Sequence, residues 1–390
     1  MNNPKISIVI PVYNMANTVE RAIRSVLSQD YINKELIVLD GGSTDGTVEI
    51  IKKYSNQIAH FVSEPDDGLY KTIIHNWHLI SGDIIGEIGA DDWYCDGALS
   101  AVANTFEKTQ ADVFYGDIIF IRPDGSQIYH STNQVDLENS YHCTVTLSPS
   151  TLVRKEILAD FYRQQLKDCV DEFRIAADAY LWMTLYHTGK KFSYINTGKA
   201  IANFSLTGVS TTQIFQSLYE TRQAMYRVIG SNKELLVKHK KLFDKQFSAH
   251  AIWGYHTLLG EDSFCQIIRP IIDLQARYVI FGAGNMCGNA IKLLRLFGCK
   301  VDYIVDSQPD LEGKSYDNII ICSPDCLRLE QDICIMISSI DYVADIQKQL
   351  LEMHLNQTVN VISYSDICLE LYHQLGDEIL KNGWERGLLK

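Results

Sequence analysis

Two hydrophobic periods alternate through the first hundred residues. ISIVI (6–10), ELIVLD (35–40), IAHFVS and DIIGEIGA are short apolar runs of strand type. Between them, apolar positions recur at helical spacing from about Thr18 to Ser28, Thr47 to Tyr54 and Leu69 to Ile80. This alternation predicts parallel strands with helices on both faces, an α/β fold whose ligands bind beyond the carboxyl ends of the strands. Every polar cluster of the region falls at such an end: Pro11-Val12-Tyr13-Asn14, then Asp40 to Thr47, then Glu64 to Gly68, then Asp91-Asp92. Four clusters at four strand ends converge on one crevice.

Downstream, DVFYGDIIFIRPDGSQIYH predicts two strands around the turn Pro123-Asp124-Gly125. Ala176 to Thr188 reads as an amphipathic helix, and Phe192 to Phe204 as further strand. Residues 213–275 read as helical throughout and without recognisable chemistry. At Arg277 the pattern changes to strand, glycine loop, helix and strand, and NIIICS and ICIMISS add two buried strands. The expected organisation is an α/β domain over 1–212, a helical connecting region over 213–275, a small α/β domain over 276–370 and a helical tail over 371–390.

Composition narrows the function classes. A chain of 390 residues is long for a single core, and 46% hydrophobic with 21% charged residues is that of a globular protein. A net charge of −13 with no basic stripe argues against nucleic acid as a partner. Lys238-His239-Lys240-Lys241 reads as a solvated helix face. No apolar stretch is long enough to span a bilayer, and the start MNNPKISIVIPVYN lacks the pattern of a secretory signal. Ten cysteines without a C-x-x-C pair support neither a zinc knuckle nor a disulfide framework. The expectation is a cytoplasmic protein, at the inner face of a membrane if its acceptor is membrane-borne.

Asp91 and Asp92 carry the sharpest chemistry. Two like charges directly after a buried strand repel each other unless a cation is near. Hard divalent cations take oxygen ligands, and Mg²⁺ or Mn²⁺ commonly uses one or two carboxylates and completes its shell with substrate phosphates. An isolated Asp-Asp pair is more often a turn or helix cap, and it is the position among four clusters that favours a metal-diphosphate site. GGSTDGT likewise serves as a strand-to-helix turn, with Ser43, Thr44 or Asp45 as the cap.

PVYNMANTVERAIRSVLSQDYINKELIVLDGGSTDGT, SEPDDGLY and SGDIIGEIGADDWY, in this order and spacing, resemble the N-terminal half of a family 2 glycosyltransferase with the GT-A fold. The resemblance spans about residues 4 to 210. It implies that Asp40 contacts the nucleotide base, that Pro11, Tyr13 and Asn14 line the same pocket, and that Gly42, Asp67, Gly68 and Tyr70 belong to the donor site. It further implies that Asp91 faces the ribose or a metal-bound water and that Asp92 ligates Mg²⁺ or Mn²⁺ on the donor diphosphate. IAADAYLWMTLYHTGKKFSYI resembles the region of the catalytic base and puts Asp178 at that position, where a carboxylate takes the acceptor proton. HCTVTLSPSTLVRKEIL resembles the acceptor side and makes His142, Ser148 and Ser150 candidates there. NFSLTGVST (203–211) matches a loop that closes over the donor. The sequence departs from the family pattern at Lys71, Ile74 and Gly41, which bears on donor identity.

In the C-terminal unit, GAGNMCG places Gly282, Gly284 and Gly288 between a strand and a helix, with Asp306 at the end of the next strand. This is a looser form of a dinucleotide fingerprint and a candidate second nucleotide site. The unit resembles small Rossmann-like nucleotide-binding modules attached to sugar-modifying enzymes, for which an empty docking domain is an equal alternative.

The implied activity is transfer of a sugar, with inversion, from a nucleotide-sugar donor, a UDP-sugar first, to a glycan or lipid-linked glycan. Two rivals remain. An NAD(P)-dependent sugar-nucleotide oxidoreductase centred on the C-terminal unit lacks a Tyr-x-x-x-Lys pair, because Ile346 follows Tyr342 at the lysine position. An inactive nucleotide-sugar-binding scaffold has no need of Asp40, Asp91, Asp92 and Asp178 together.

Overall fold

The computed structural model describes residues 3–65, 68–133, 136–141, 148–284, 286–340, 342–355 and 359–376. Asp67, His142 and the tail from residue 377 onward lie outside the described residues. The chain divides into two compact units at His239/Lys240.

In the first unit the opening alternation becomes β1 (Ile6–Val12), α1 (Val19–Leu27), β2 (Lys34–Asp40), α2 (Thr47–Lys52), β3 (His60–Ser63), α3 (Leu69–His75) and β4 (Ile84–Glu87). There follow β5 (Trp93–Tyr94), α4 (Ala98–Lys108), β6 (Val113–Tyr115), β7 (Ile118–Ile121), β8 (Gln127–His130) and β9 (Thr151–Arg154). The unit continues through α5 (Lys155–Asp160), α6 (Ala177–His187), β10 (Phe192–Tyr194), β11 (Ala202–Ser205), α7 (Val209–Thr212) and α8 (Ile214–Ile229).

The main sheet has seven strands in the order β10-β6-β9-β4-β1-β2-β3. β1 to β4 are mutually parallel, as the alternation predicts, and β9 runs antiparallel between β4 and β6. Register sets the binding edge: Val12 lies opposite Asp40, while Glu87 lies opposite Val9, three residues short of that level. Ile6, Ile8, Ile10, Leu36, Val38, Ile84 and Ile88 alternate onto one face and pack with Val19, Ile23, Leu99 and Val102 of α1 and α4 in one buried cluster. Glu87 and Ile85 alternate onto the opposite face.

Two strand expectations need correction. The run DVFYGDIIFI divides at Gly116-Asp117: β6 joins the main sheet, and β7 enters a second sheet of order β5-β11-β7-β8. The run Phe192 to Phe204 divides in the same way, with β10 in the first sheet and β11 in the second. Both divisions are close in space, since a Cβ on Gly116 would stand 3.0 Å from the Ile201 side chain. Periodicity within one strand cannot report a change of sheet.

The helix α9 (Lys233–Leu259) runs across the boundary. The second unit continues with α10 (Glu261–Ile268), β12 (Arg277–Phe281), α11 (Cys287–Leu296), β13 (Val301–Val305), β14 (Ser315–Tyr316) and β15 (Ile319–Cys322). It closes with β16 (Ile333–Ile337), α12 (Val343–Glu352), β17 (Asn360–Ser363) and α13 (Tyr364–Leu375). Its sheet has the order β14-β15-β13-β12-β16-β17. The five strands other than β14 are parallel, in the doubly wound arrangement.

The basic cluster before the boundary is not a plain solvated face. His239 is buried, and both Lys238 and His239 reach Glu138, at 2.6 Å and 3.2 Å. Among the described residues no helix is long and apolar enough to cross a membrane, and every described cysteine is free.

Candidate functional site

The site begins where β1 and β2 end. Asn14 takes a left-handed backbone, φ +52°, which an asparagine tolerates when its side chain is locally bonded. Here its N–H donates to Ser43 Oγ at 2.7 Å, and its Oδ1 accepts the Thr44 N–H at 2.9 Å. Met15 N–H donates to Thr47 Oγ1 and Ala16 N–H to Asp45 Oδ2, so the two loops form one cross-linked rim. Tyr13 stands out from this rim, 60% exposed. Gly42, at φ +84°, lies so close to the Pro65 backbone that a Cβ would approach to 3.2 Å.

Asp40 is buried beneath the rim. Its Oδ2 accepts the N–H groups of Gly42 and Ser43, each at 3.1 Å, and the Ser63 hydroxyl at 2.6 Å. Its Oδ1 is buried with no partner among the described residues. A buried carboxylate oxygen without a donor is costly, so the site is built to receive one.

Asp91 and Asp92 follow β4 on a short descending turn. Asp92 is buried and accepts the Ser205 N–H at 2.7 Å through Oδ1. Burial and then the neighbouring Asp91 push its carboxyl well above the usual range, and burial raises Asp91 too. Gly89 and Gly208 make room for the pair: a Cβ on either would stand 2.8 Å and 2.7 Å from Asp91 carboxylate oxygens. The loop after β11 therefore already rests on the two aspartates.

Sequence reading found no protein cation for this pair, and the structure supplies one. Arg21 of α1 donates to the Asp91 carbonyl oxygen at 2.8 Å, and its guanidinium stacks 3.6 Å above the Trp93 ring. Burial lowers its pKa, while Asp92 and Asp91 act in the opposite sense. Two adjacent hard-oxygen donors whose charges remain underneutralised fit a divalent cation. No cluster of three or more His, Cys, Asp or Glu that could hold a metal occurs among the described residues, so these two carboxylates alone would not complete a cation's shell.

Asp178 lies in the first turn of α6. Its Oδ1 accepts the Ala179 N–H at 2.8 Å and its Oδ2 the Ser148 hydroxyl at 3.2 Å, and burial raises its carboxyl. No local side chain caps this helix. Instead Glu220 of α8, 2% exposed, accepts the N–H groups of Ile175 and Ala176, each at 2.8 Å, through Oε2, and the Gln216 amide at 2.8 Å through Oε1. The stretch expected to be without chemistry thus holds the start of the helix that carries Asp178. Only a helical period was visible there, and nothing in it ties Glu220 to a helix more than thirty residues away.

The remaining expected residues are placed as follows. The Tyr70 hydroxyl donates to the Ile175 carbonyl at 3.1 Å, pinning α3 to the turn before α6. Gly68, at φ +125°, opens α3, and Pro11 lies within β1 opposite Leu39. Ser150 is buried, its carbonyl accepting the Gly116 N–H at 3.1 Å. In the second unit, Asp306 accepts the Ala283 and Gln308 N–H groups, each at 2.8 Å, and Ser338 Oγ donates to the Gly282 carbonyl at 2.6 Å. A Cβ on Gly288 would stand 2.8 Å from the Tyr316 hydroxyl, whereas one on Gly284 would meet nothing within 4 Å. Both Asp306 oxygens are thus engaged by backbone of their own unit, as in a tight strand-to-helix turn.

Residues 7–183 match the model of glycosyl transferase family 2, and residues 274–360 that of the C2185-like N-terminal family. Chondroitin synthase of Pasteurella multocida is 24% identical over 93% of this chain and 35% of its own length. Glycosyltransferase GlyA of Streptococcus pneumoniae is 23% identical over 61% of this chain and 36% of its own. The chain therefore spans about a third of the length of these relatives. Among solved structures, S. aureus TarS 1-349 in complex with UDP is 22% identical, with a TM-score of 0.46 over 65% of this chain and 75% of that one.

Proposed function

With residues 7–183 a domain of glycosyl transferase family 2, we propose that this chain moves a sugar from a nucleotide-sugar donor, a UDP-sugar first, to a hydroxyl of a glycan or lipid-linked glycan with inversion. The observation that carries the reading is the arrangement of Asp40, Asp91-Asp92 and Asp178 at the carboxyl edge of one sheet. Asp40 Oδ1 accepts from the donor base, and the rim 13–16 and 41–47 holds the nucleoside. Asp92, with Asp91 beside it, would hold Mg²⁺ or Mn²⁺; when bound, that ion supplies positive charge against the departing diphosphate. Asp178 takes the proton of the acceptor hydroxyl, oriented by Ser148 on one oxygen and the Ala179 N–H on the other. Arg21 neutralises part of the carboxylate pair from the protein side. A glycan acceptor agrees with the name of one relative, chondroitin synthase.

The test is release of nucleoside diphosphate from UDP-, GDP- and dTDP-sugars, with and without Mn²⁺. It compares the native chain with Asp178→Asn and Asp92→Ala. Metal-dependent release of one donor, lost in both variants, is the expected result. Release by Asp92→Ala equal to native would overturn the metal assignment, and native-like release by Asp178→Asn that of the base. Absence of both release and nucleotide binding in the native chain would overturn the reading as a whole.

A further inference from the structure

Glu87 is a carboxyl group for which the chemistry above has no use. It ends β4, level with Val9 and so three residues inside the edge marked by Val12 and Asp40, on the face opposite the α1–α4 core. An acid in the middle strand of a buried sheet is costly unless it is hydrogen-bonded or paired. Its Oε1 accepts the Tyr162 hydroxyl, and Tyr162 is buried with its ring edge-on to Trp77 at 5.3 Å, so the carboxyl cannot turn freely. Its other oxygen has no donor among the described residues, and the residue is partly exposed.

The ionisable groups around Glu87 come from α3, α6, β5 and the segment that follows α5. Asp178 of α6 acts on it by charge, and Tyr162, Tyr94 of β5 and Tyr70 of α3 feel it in turn. Burial first, and then Asp178, push Glu87 up to about 7 against the opposing Tyr162 hydrogen bond. Among the described residues no cation offsets it there, which separates Glu87 from the Asp91-Asp92 pair. Its surroundings favour a neutral, hydrogen-bonding partner.

We propose that Glu87 is a sugar-binding residue, its open carboxyl oxygen hydrogen-bonding a hydroxyl of the sugar that lies next to Asp178, with Tyr162 fixing its orientation. This rests on the glycosyltransferase reading. A carboxyl fits a sugar because it accepts from a hydroxyl when ionised and both donates and accepts when protonated. The hydroxyl belongs either to the sugar being transferred or to the acceptor.

The experiment measures affinity of the full chain for UDP and for UDP-glucose, UDP-galactose and UDP-N-acetylglucosamine with Mn²⁺. It also measures diphosphate release with the methyl glycosides of the same three sugars as acceptors. Glu87→Leu and Tyr162→Phe are compared with native, the latter keeping the ring that packs on Trp77. If the hydroxyl is the donor's, Glu87→Leu weakens the preferred UDP-sugar by about ten-fold or more while UDP affinity changes less than about two-fold. If it is the acceptor's, donor affinity holds and the KM of the methyl glycoside rises by a similar factor. Tyr162→Phe shifts the same constant by a smaller factor. A further readout separates binding from mere packing: native sugar affinity carries a pH dependence through about 7 that Glu87→Gln lacks, on top of whatever the other carboxylates of the site contribute to both. Unchanged sugar preference and acceptor KM in Tyr162→Phe and a folded Glu87 variant, with nucleotide binding intact, overturn this assignment alone. Failure of the native chain to bind any nucleotide overturns the glycosyltransferase reading and this assignment with it.

Discussion

The Glu220 carboxylate closes over the backbone of Ala176, accepting its N–H at 2.8 Å together with that of Ile175, two and three residues before Asp178. A buried acid from α8 thereby replaces the missing local cap of α6 and sets the height at which Asp178 meets the crevice.

Two consequences separate position from charge. Glu220→Ala strands two N–H groups and lowers stability by about 2 kcal/mol, read as a fall in denaturation midpoint. Glu220→Gln keeps an acceptor for both groups but removes a charge that helps to raise the Asp178 carboxyl. The base acts when ionised, so turnover rises with pH through the Asp178 pKa. The acid limb of Glu220→Gln is therefore expected at lower pH than native. An acid limb that does not move would show that Glu220 acts only through structure.

Asp40→Asn tests the unpartnered oxygen. If the amide oxygen keeps the three donors now on Oδ2, the NH₂ replaces Oδ1 and turns an acceptor into a donor. Nucleoside diphosphate affinity should fall by about ten-fold or more with little change in melting temperature. Calorimetric titration with UDP decides it.

Gly208→Ala probes the loop that rests on the aspartates. Its Cβ would stand 2.7 Å from Asp91 Oδ2, a distance that something must relieve. The carboxylate or the loop moves, so donor release should fall several-fold while the thermal midpoint stays near native. Kinetics at saturating Mn²⁺ keep weakened metal binding apart from misplacement.

At the start of β2, away from Asp40 at its end, Glu35 is expected to contribute to stability in acid. Burial acts to raise its carboxyl, but Lys5 at 2.6 Å, the Ser7 hydroxyl and the Ser81 N–H and hydroxyl outweigh it and hold it at about 2. Its folded pKa lies below the unfolded value near 4.5, so this stabilisation is complete above that pH and is lost as pH falls towards 2. Glu35→Gln should melt lower than native at neutral pH and lose less between about pH 5 and pH 2. Thermal melts across that range measure it.

The sequence by itself determined the alternation of β1 to β4 with their helices, the parallel sheet that follows from it, and the strand ends carrying Asp40, Asp91 and Asp92. Those features are local: strand and helix periods, glycines after strands and acids beyond them are written within a few residues of one another. The family resemblance placed Asp178 on the same map. The tertiary structure decided what distance along the chain conceals. Arg21 stands seventy residues before the Asp91 carbonyl it binds, Glu220 lies forty-four after the Ala176 N–H it accepts, and Tyr162 seventy-five after Glu87. The splitting of two apolar runs between two sheets was hidden for the same reason. Period and propensity describe a segment, whereas the partner of a buried charge is fixed only when burial makes an unpartnered one too costly to keep.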